Sequence, residues 1–139
     1  MAADGKRKPR PIEKLLKAAS LDLDVAKRCL VDPPNILAAN HLHQAAEKIL
    51  GAVRLHRGLL TTKDHDLVIL IDGRQGGEPC PLPDADPWRD RFRPLESLSV
   101  YATAFRYSLT PEPKAEELRE MLAALTTLHA LASKELLGA

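Results

Sequence analysis

The densest grouping of side chains able to do chemistry is the run His41-Leu42-His43-Gln44-Ala45-Ala46-Glu47-Lys48. His43 and Glu47 stand four apart, as do Gln44 and Lys48, so on a helix each pair shares a face one turn apart. The small alanines between them let another helix approach closely. The spacing alone favours surface pairs flanking a helix contact; a ligand site is the alternative.

Other groupings point to weaker chemistry. The histidines at 41, 43, 56, 65 and 129 include no pair at i, i+4 with a third ligand in sight, and His41 and His43 point to different faces of a helix, so neither a metal nor another cofactor is expected. Trp88-Arg89-Asp90-Arg91-Phe92-Arg93 interleaves aromatics with arginines, a pattern that either stacks bases and pairs phosphates or pins a loop to its domain. Asp72-Gly73-Arg74-Gln75-Gly76-Gly77 is no phosphate loop, since neither a lysine-serine nor a lysine-threonine pair follows it. Two cysteines, Cys29 and Cys80, are too few for a disulfide framework or a zinc site.

These residues need elements to position them. After Pro11, the residues Ile12, Leu15, Leu16, Ala19, Leu23, Ala26 and Leu30 keep helical spacing and predict a first helix over about 12 to 31. Asp32-Pro33-Pro34 stops it, and Asn35 is a suitable N-cap for a second helix from about 36 to Gly58. The wide apolar face of that second helix makes it central. Thr61-Thr62-Lys63-Asp64 has the spacing of a capping box ahead of Leu67, Val68, Leu70 and Ile71, which predicts a short third helix. With glycines at 73, 76 and 77 and prolines at 79, 81, 83, 87 and 94, residues 72 to 94 read as one long loop. A fourth helix is expected over 95 to 107. A last one follows Thr110-Pro111-Glu112-Pro113, with Glu116 and Glu117 suiting its first turn and Leu118, Leu122, Leu125, Ala132 and Leu136 forming its stripe.

Composition narrows the fold and the partners. A chain of 139 residues that is 45% hydrophobic but only 4% aromatic builds its core from Leu, Ala, Ile and Val, as a helical bundle does. Lys6, Arg7, Lys8 and Arg10 stand in an N-terminal basic tail, residues 1 to 11, expected to be disordered ahead of a single domain at 12 to 139. Without those four cations and Asp4, the 20 basic and 19 acidic residues become 16 and 18, which is not the footprint of a duplex-DNA binder. No run approaches the roughly 20 apolar residues of a membrane span, and the N-terminus lacks the apolar core of a signal peptide, so a cytoplasmic protein is expected.

His43-Gln44-Ala45-Ala46-Glu47-Lys48, preceded by Ser20-Leu21-Asp22-Leu23-Asp24-Val25-Ala26 and followed by His65-Asp66-Leu67, resembles the HEPN domain, and Arg106-Tyr107 is similar to that family's Arg-Tyr-Pro element. The resemblance covers roughly residues 12 to 137. It implies an all-α, antiparallel up-and-down bundle of four to five helices, commonly a homodimer. It also implies a nucleotide- or RNA-binding role, often beside a minimal nucleotidyltransferase partner, with Gln44, Glu47, Lys48, His65, Arg106 and Tyr107 as the matching site residues. Ser108 stands where the family often has proline, and Gly51 where a second lysine is usual.

The nuclease branch of the family carries an arginine followed after roughly four to six residues by a histidine that handles protons at RNA phosphate and ribose. Here Arg106 meets no histidine before His129, and Arg57 reaches His65 only after seven intervening residues. Binding is therefore expected in place of cleavage. An RNase toxin of a toxin-antitoxin pair and a purely structural dimerisation module are the alternatives. Glu47 on a central apolar helix calls for a cationic partner, for which Arg106 is the natural candidate, and His65 reads as a packing or capping residue. Wide apolar faces on the second and last helices suggest a two-fold dimer that buries part of them.

Overall fold

The computed structural model describes residues 11–30, 35–59, 64–74, 76–101 and 113–138. Its elements are α1 (Pro11–Cys29), α2 (Asn35–His56), α3 (Leu67–Asp72), α4 (Pro87–Phe92), a 3-10 helix (Arg93–Tyr101) and α5 (Ala115–Leu137). No strand occurs among the described residues, and no helix in them is long and apolar enough to cross a membrane.

Cross-contacts give the directions. Leu15 lies against Gly51 while Asp22 meets His41 and Lys48, so α2 runs back along α1. Arg57 near the end of α2 holds Asp86, and Asn40 near its start donates to the Tyr101 carbonyl, so α4 and the 3-10 helix together form a third leg that returns along α2. Trp88 then meets Glu135, whereas Pro94 and Leu95 share a groove with Glu117 and Met121, which sets α5 antiparallel to that leg. The result is an all-α up-and-down bundle of four legs, with α3 as a short extra turn between the second and the third.

α2 is the central rod. Ala38, Ala39, Leu42, Ala45, Ala46, Ile49, Leu50, Ala52 and Val53 are fully enclosed, against Leu16, Ala19 and Ala26 of α1 and Leu118, Leu125 and Ala132 of α5. Its apolar face is thus spent inside one copy, and the expectation that a second copy covers it does not hold for this helix. Among the described residues, the large apolar side chains left exposed are Leu21, Val68 and Val100. α2 ends where expected: Gly58 takes φ 79°, its N–H donates to the Leu55 carbonyl, and Leu59 N–H reaches the Arg54 carbonyl. That double closure satisfies carbonyls that the last turn would leave open.

The residues around α3 depart from the sequence reading in their caps. Thr61, Thr62 and Lys63 of the expected capping box lie outside the described residues, and the N-cap is Asp66, whose carboxylate accepts from Val68 N–H. At the other end Gly73 has φ 69°, and a Cβ there would sit 2.7 Å from both the Pro79 carbonyl oxygen and the Pro81 nitrogen, so only glycine lets the chain fold back onto α3. Leu82 N–H completes the return by donating to the Ile71 carbonyl.

The expectation of one long loop over 72 to 94 is wrong in its second half. Pro87 is the first helical residue of α4, where a missing N–H costs nothing, and Asp86 before it caps Trp88 N–H at 3.0 Å. The expected fourth helix over 95 to 107 is a 3-10 helix that already begins at Arg93; residues 102–112 lie outside the described residues, as does most of the N-terminal tail. Trp88 and Phe92 are fully buried, their ring centroids 5.9 Å apart. The arginines in and around this segment are also engaged. Asp72 takes hydrogen bonds from Arg89 and Arg93, Arg91 lies over the Trp88 ring, and Arg57 pairs with Asp86. Base stacking on this segment is therefore ruled out for its two aromatics, which pin the third leg to the bundle.

Candidate functional site

α2 carries two neighbouring stripes of polar side chains, and each is ordered by a different part of the bundle. The first holds Asn40, His41, Gln44 and Lys48. Asp22, in register with Ala19 and Ala26 on the buried side of α1, accepts from Lys48 Nζ at 2.5 Å and meets His41 Nδ1 at 3.0 Å. One enclosed carboxylate thus fixes two cationic or basic side chains of α2. Gln44 donates to Asn40 Oδ1 at 2.6 Å, and Asn40 in turn donates to the Tyr101 carbonyl.

The second stripe holds His43, Glu47, Gly51 and Arg54. His43 Nε2 lies 2.7 Å from the His65 carbonyl oxygen; a carbonyl only accepts, so the proton sits on Nε2. Burial pushes the His43 imidazole below its ordinary pKa, against the pull of that carbonyl and of Glu47, and keeps the ring neutral. His65 then turns its own Nδ1 to Glu47 Oε1 at 2.8 Å. A carboxylate accepts, so Nδ1 carries the proton and Nε2 is the ring nitrogen that Glu47 does not use, on a side chain that is 65% exposed.

Of the six residues expected at the site, the structure brings three together. Glu47 and Lys48 both line a cleft of about 180 Å³, and His65 is bonded to Glu47 beside it. Gln44 stands one turn away, engaged with Asn40. Arg106 and Tyr107 lie outside the described residues. Among the described residues Glu47 takes His65 as its close partner, with His43 Nδ1 at 3.7 Å; the expected pair with Arg106 falls outside the described residues. His65 is an exposed partner of a carboxylate, and the capping role expected of it belongs to Asp66.

The rest of the cleft was not foreseen. Its wall is Leu15 of α1, Gly51 and Arg54 of α2, Asp64 and Leu70. Asp64 pairs with Arg74 at 2.6 Å, which raises the arginine's pKa through that hydrogen bond. Arg54 is only 2% exposed, and its Nη1 donates to the carbonyls of Leu70 and Cys80 at 3.0 and 2.6 Å. The sequence did hold a signal for Arg54, and for Asp22 behind Lys48. Asp22 follows Ala19 by three and Arg54 follows Leu50 by four, so each is a charge standing in register with a buried stripe, where burial without a purpose is costly.

The site can hold an anion beside ordered cations and can offer a carboxylate-oriented imidazole as a proton acceptor. Neither the curated proteins nor the solved structures provide a match to this chain. The sequence model of the HEPN domain matches residues 12–136, spanning α1, α2 and nearly all of α5. With that match over nearly the whole chain, and an up-and-down helical bundle carrying the polar motif on its central helix, the protein belongs to the HEPN domain family.

Proposed function

We propose that this protein binds nucleotide or single-stranded RNA through the cleft side of α2, using Lys48, Glu47 and His65, with Gln44, Arg106 and Tyr107 extending the contact. Membership of the HEPN family supports a nucleotide- or RNA-related function in general. The observation that carries the finer reading is the pre-ordered edge of the cleft. Asp22 holds Lys48 and Glu47 holds His65, so little side-chain freedom is left to lose on binding. It acts as a homodimer and alongside a minimal nucleotidyltransferase, as the family resemblance implies. Equilibrium dialysis of nucleoside mono- and triphosphates against the full chain at low salt tests the ligand, and light scattering at tens of micromolar tests the dimer. Retention of nucleotide that disappears in His65→Ala plus Lys48→Gln is the expected result.

A second reading has one specific observation behind it. Glu47 holds His65 through Nδ1 and leaves the other imidazole nitrogen to an exposed side chain, an arrangement suited to handling the proton of a ribose hydroxyl. Metal-free cleavage of RNA that is lost in His65→Ala would establish this RNase reading over the binding one.

A further inference from the structure

Arg54 is the one charged side chain of the cleft whose arrangement the helical bundle does not explain. It sits on the inner side of α2, 2% exposed, and two backbone carbonyls share a single one of its nitrogens. Nε is buried without a partner, and Nη2 makes no hydrogen bond among the described residues. Nor does any carboxylate among the described residues lie within ion-pair distance of it; Glu47 and Asp64, which share the cleft, are held by His65 and Arg74. Burial lowers its pKa, with Cys80, Glu78 and Asp64 acting from a distance in the opposite sense, and a guanidinium stays charged in proteins all the same. A buried cation with idle donors is costly unless something supplies the missing charge.

We propose that the cleft between α1, α2 and α3 is a seat for a phosphate group, with Arg54 as its base and Lys48 as its rim. Gly51 lies between the two cations on the same side of the helix and keeps the floor open: a Cβ there would meet only Leu15 Cδ1, at 3.6 Å. Lys48 uses one of its three donors on Asp22 and keeps the others for a ligand. At about 180 Å³ the space is smaller than the roughly 300 Å³ at which clefts begin to engulf whole small molecules, so it takes a fragment such as a phosphate and leaves the remainder outside. An arginine fork beside an ammonium suits a tetrahedral oxyanion of high charge better than a carboxylate. The seat itself does not depend on the ligand reading above; only the identity of the phosphate as part of a nucleotide rests on that reading.

The test separates the two. Inorganic phosphate is titrated into the full-length protein against acetate at matched ionic strength, and backbone amide shifts and melting temperature are followed. Phosphate at about 10 mM raises the melting temperature where acetate does not, and the amides of Lys48, Gly51, Arg54 and Asp64 move together. In Gly51→Leu the side chain fills the floor while the helix gains a better former than glycine, so the unliganded protein melts no lower than wild type and the phosphate response is lost. Absence of a phosphate-specific response in wild type overturns the seat. An equal response in Gly51→Leu, or shifts confined to other residues, does the same; the shift map needs no variant. AMP is titrated in parallel. Phosphate shifts at Gly51 and Arg54 with no AMP binding uphold the seat and reject the nucleotide reading, whereas AMP binding with these amides unmoved by AMP and by phosphate alike rejects the seat alone.

Discussion

His65 is bonded to Glu47 through its side chain and to His43, one turn before Glu47 on the same stripe, through its backbone: the imidazole Nδ1 lies 2.8 Å from Glu47 Oε1, and the His65 carbonyl takes the proton of His43. His65 is thus clamped to α2 from both its side chain and its backbone. The two clamps differ in burial, since the His43 side chain is 1% exposed, that of Glu47 25% and that of His65 65%.

That difference sets the first prediction. Glu47→Gln loosens a largely solvated pair and lowers stability by no more than about 1 kcal/mol. His43→Ala removes a buried donor and costs about 1–3 kcal/mol. Urea denaturation of both variants checks the order; a larger loss for Glu47→Gln would mean that the carboxylate holds a buried cation after all.

Acidification reports on His43. Its folded pKa lies below the ordinary value of about 6.5, so the unfolded chain takes up a proton before the folded one does. Its contribution to stability is complete above about 6.5 and declines as pH falls through that value, by at most about 1.4 kcal/mol per pH unit. Asp72 is held below its usual range by the Arg93 hydrogen bonds, and Asp86 likewise, where burial is outweighed by Arg57 and Trp88 N–H; both act only below about pH 4. Unfolding midpoints measured from about pH 7 down to about 5 should therefore fall in wild type and flatten in His43→Gln. Parallel slopes would show that another group is responsible.

Much of the bundle was legible because apolar period dominates its long helices. Leu16, Ala19, Leu23 and Ala26 on α1, and Leu118, Leu125, Ala132 and Leu136 on α5, keep the spacing that their burial demands. The first half of the third leg, α4, was not legible. Pro87 and Pro94 were weighed as breakers, although proline at the first turn of a helix is neutral and Asp86-Pro87 is a start signal. At the site, spacing on one helix identified Glu47 and Lys48, but their partners Asp22 and His65 come from other elements that single-helix periodicity cannot pair. Arg54 was passed over because a lone arginine in an apolar run carries no motif.

The third leg depends on Trp88. It is fully buried, donates from Nε1 to Glu135 at 3.1 Å and carries Arg91 on its face at 4.7 Å. Trp88→Ala should cost about 3–5 kcal/mol. Thermal melting of the variant checks this, and a loss under about 1 kcal/mol would contradict the placement of α4 against α5.

Asp22 ties α1 to the site. Replacing it with alanine leaves His41 and Lys48 without their acceptor and should lower stability by about 1–3 kcal/mol. It should also loosen Lys48, so that ligand affinity falls although Asp22 itself touches no ligand. Chemical denaturation and a nucleotide titration on Asp22→Ala measure the two effects; unchanged affinity would detach Lys48 from the site.

The claim that the cleft side of α2 engages nucleic-acid phosphate is tested most directly by fluorescence anisotropy of a short, 5′-labelled single-stranded oligoribonucleotide across a salt series. The predicted result is weak binding at low salt that declines steeply as salt is added, with Lys48→Gln weakening it about three- to tenfold and making the salt dependence shallower by just under one phosphate equivalent. No binding by the wild-type chain at low salt, or binding identical in Lys48→Gln, would contradict it.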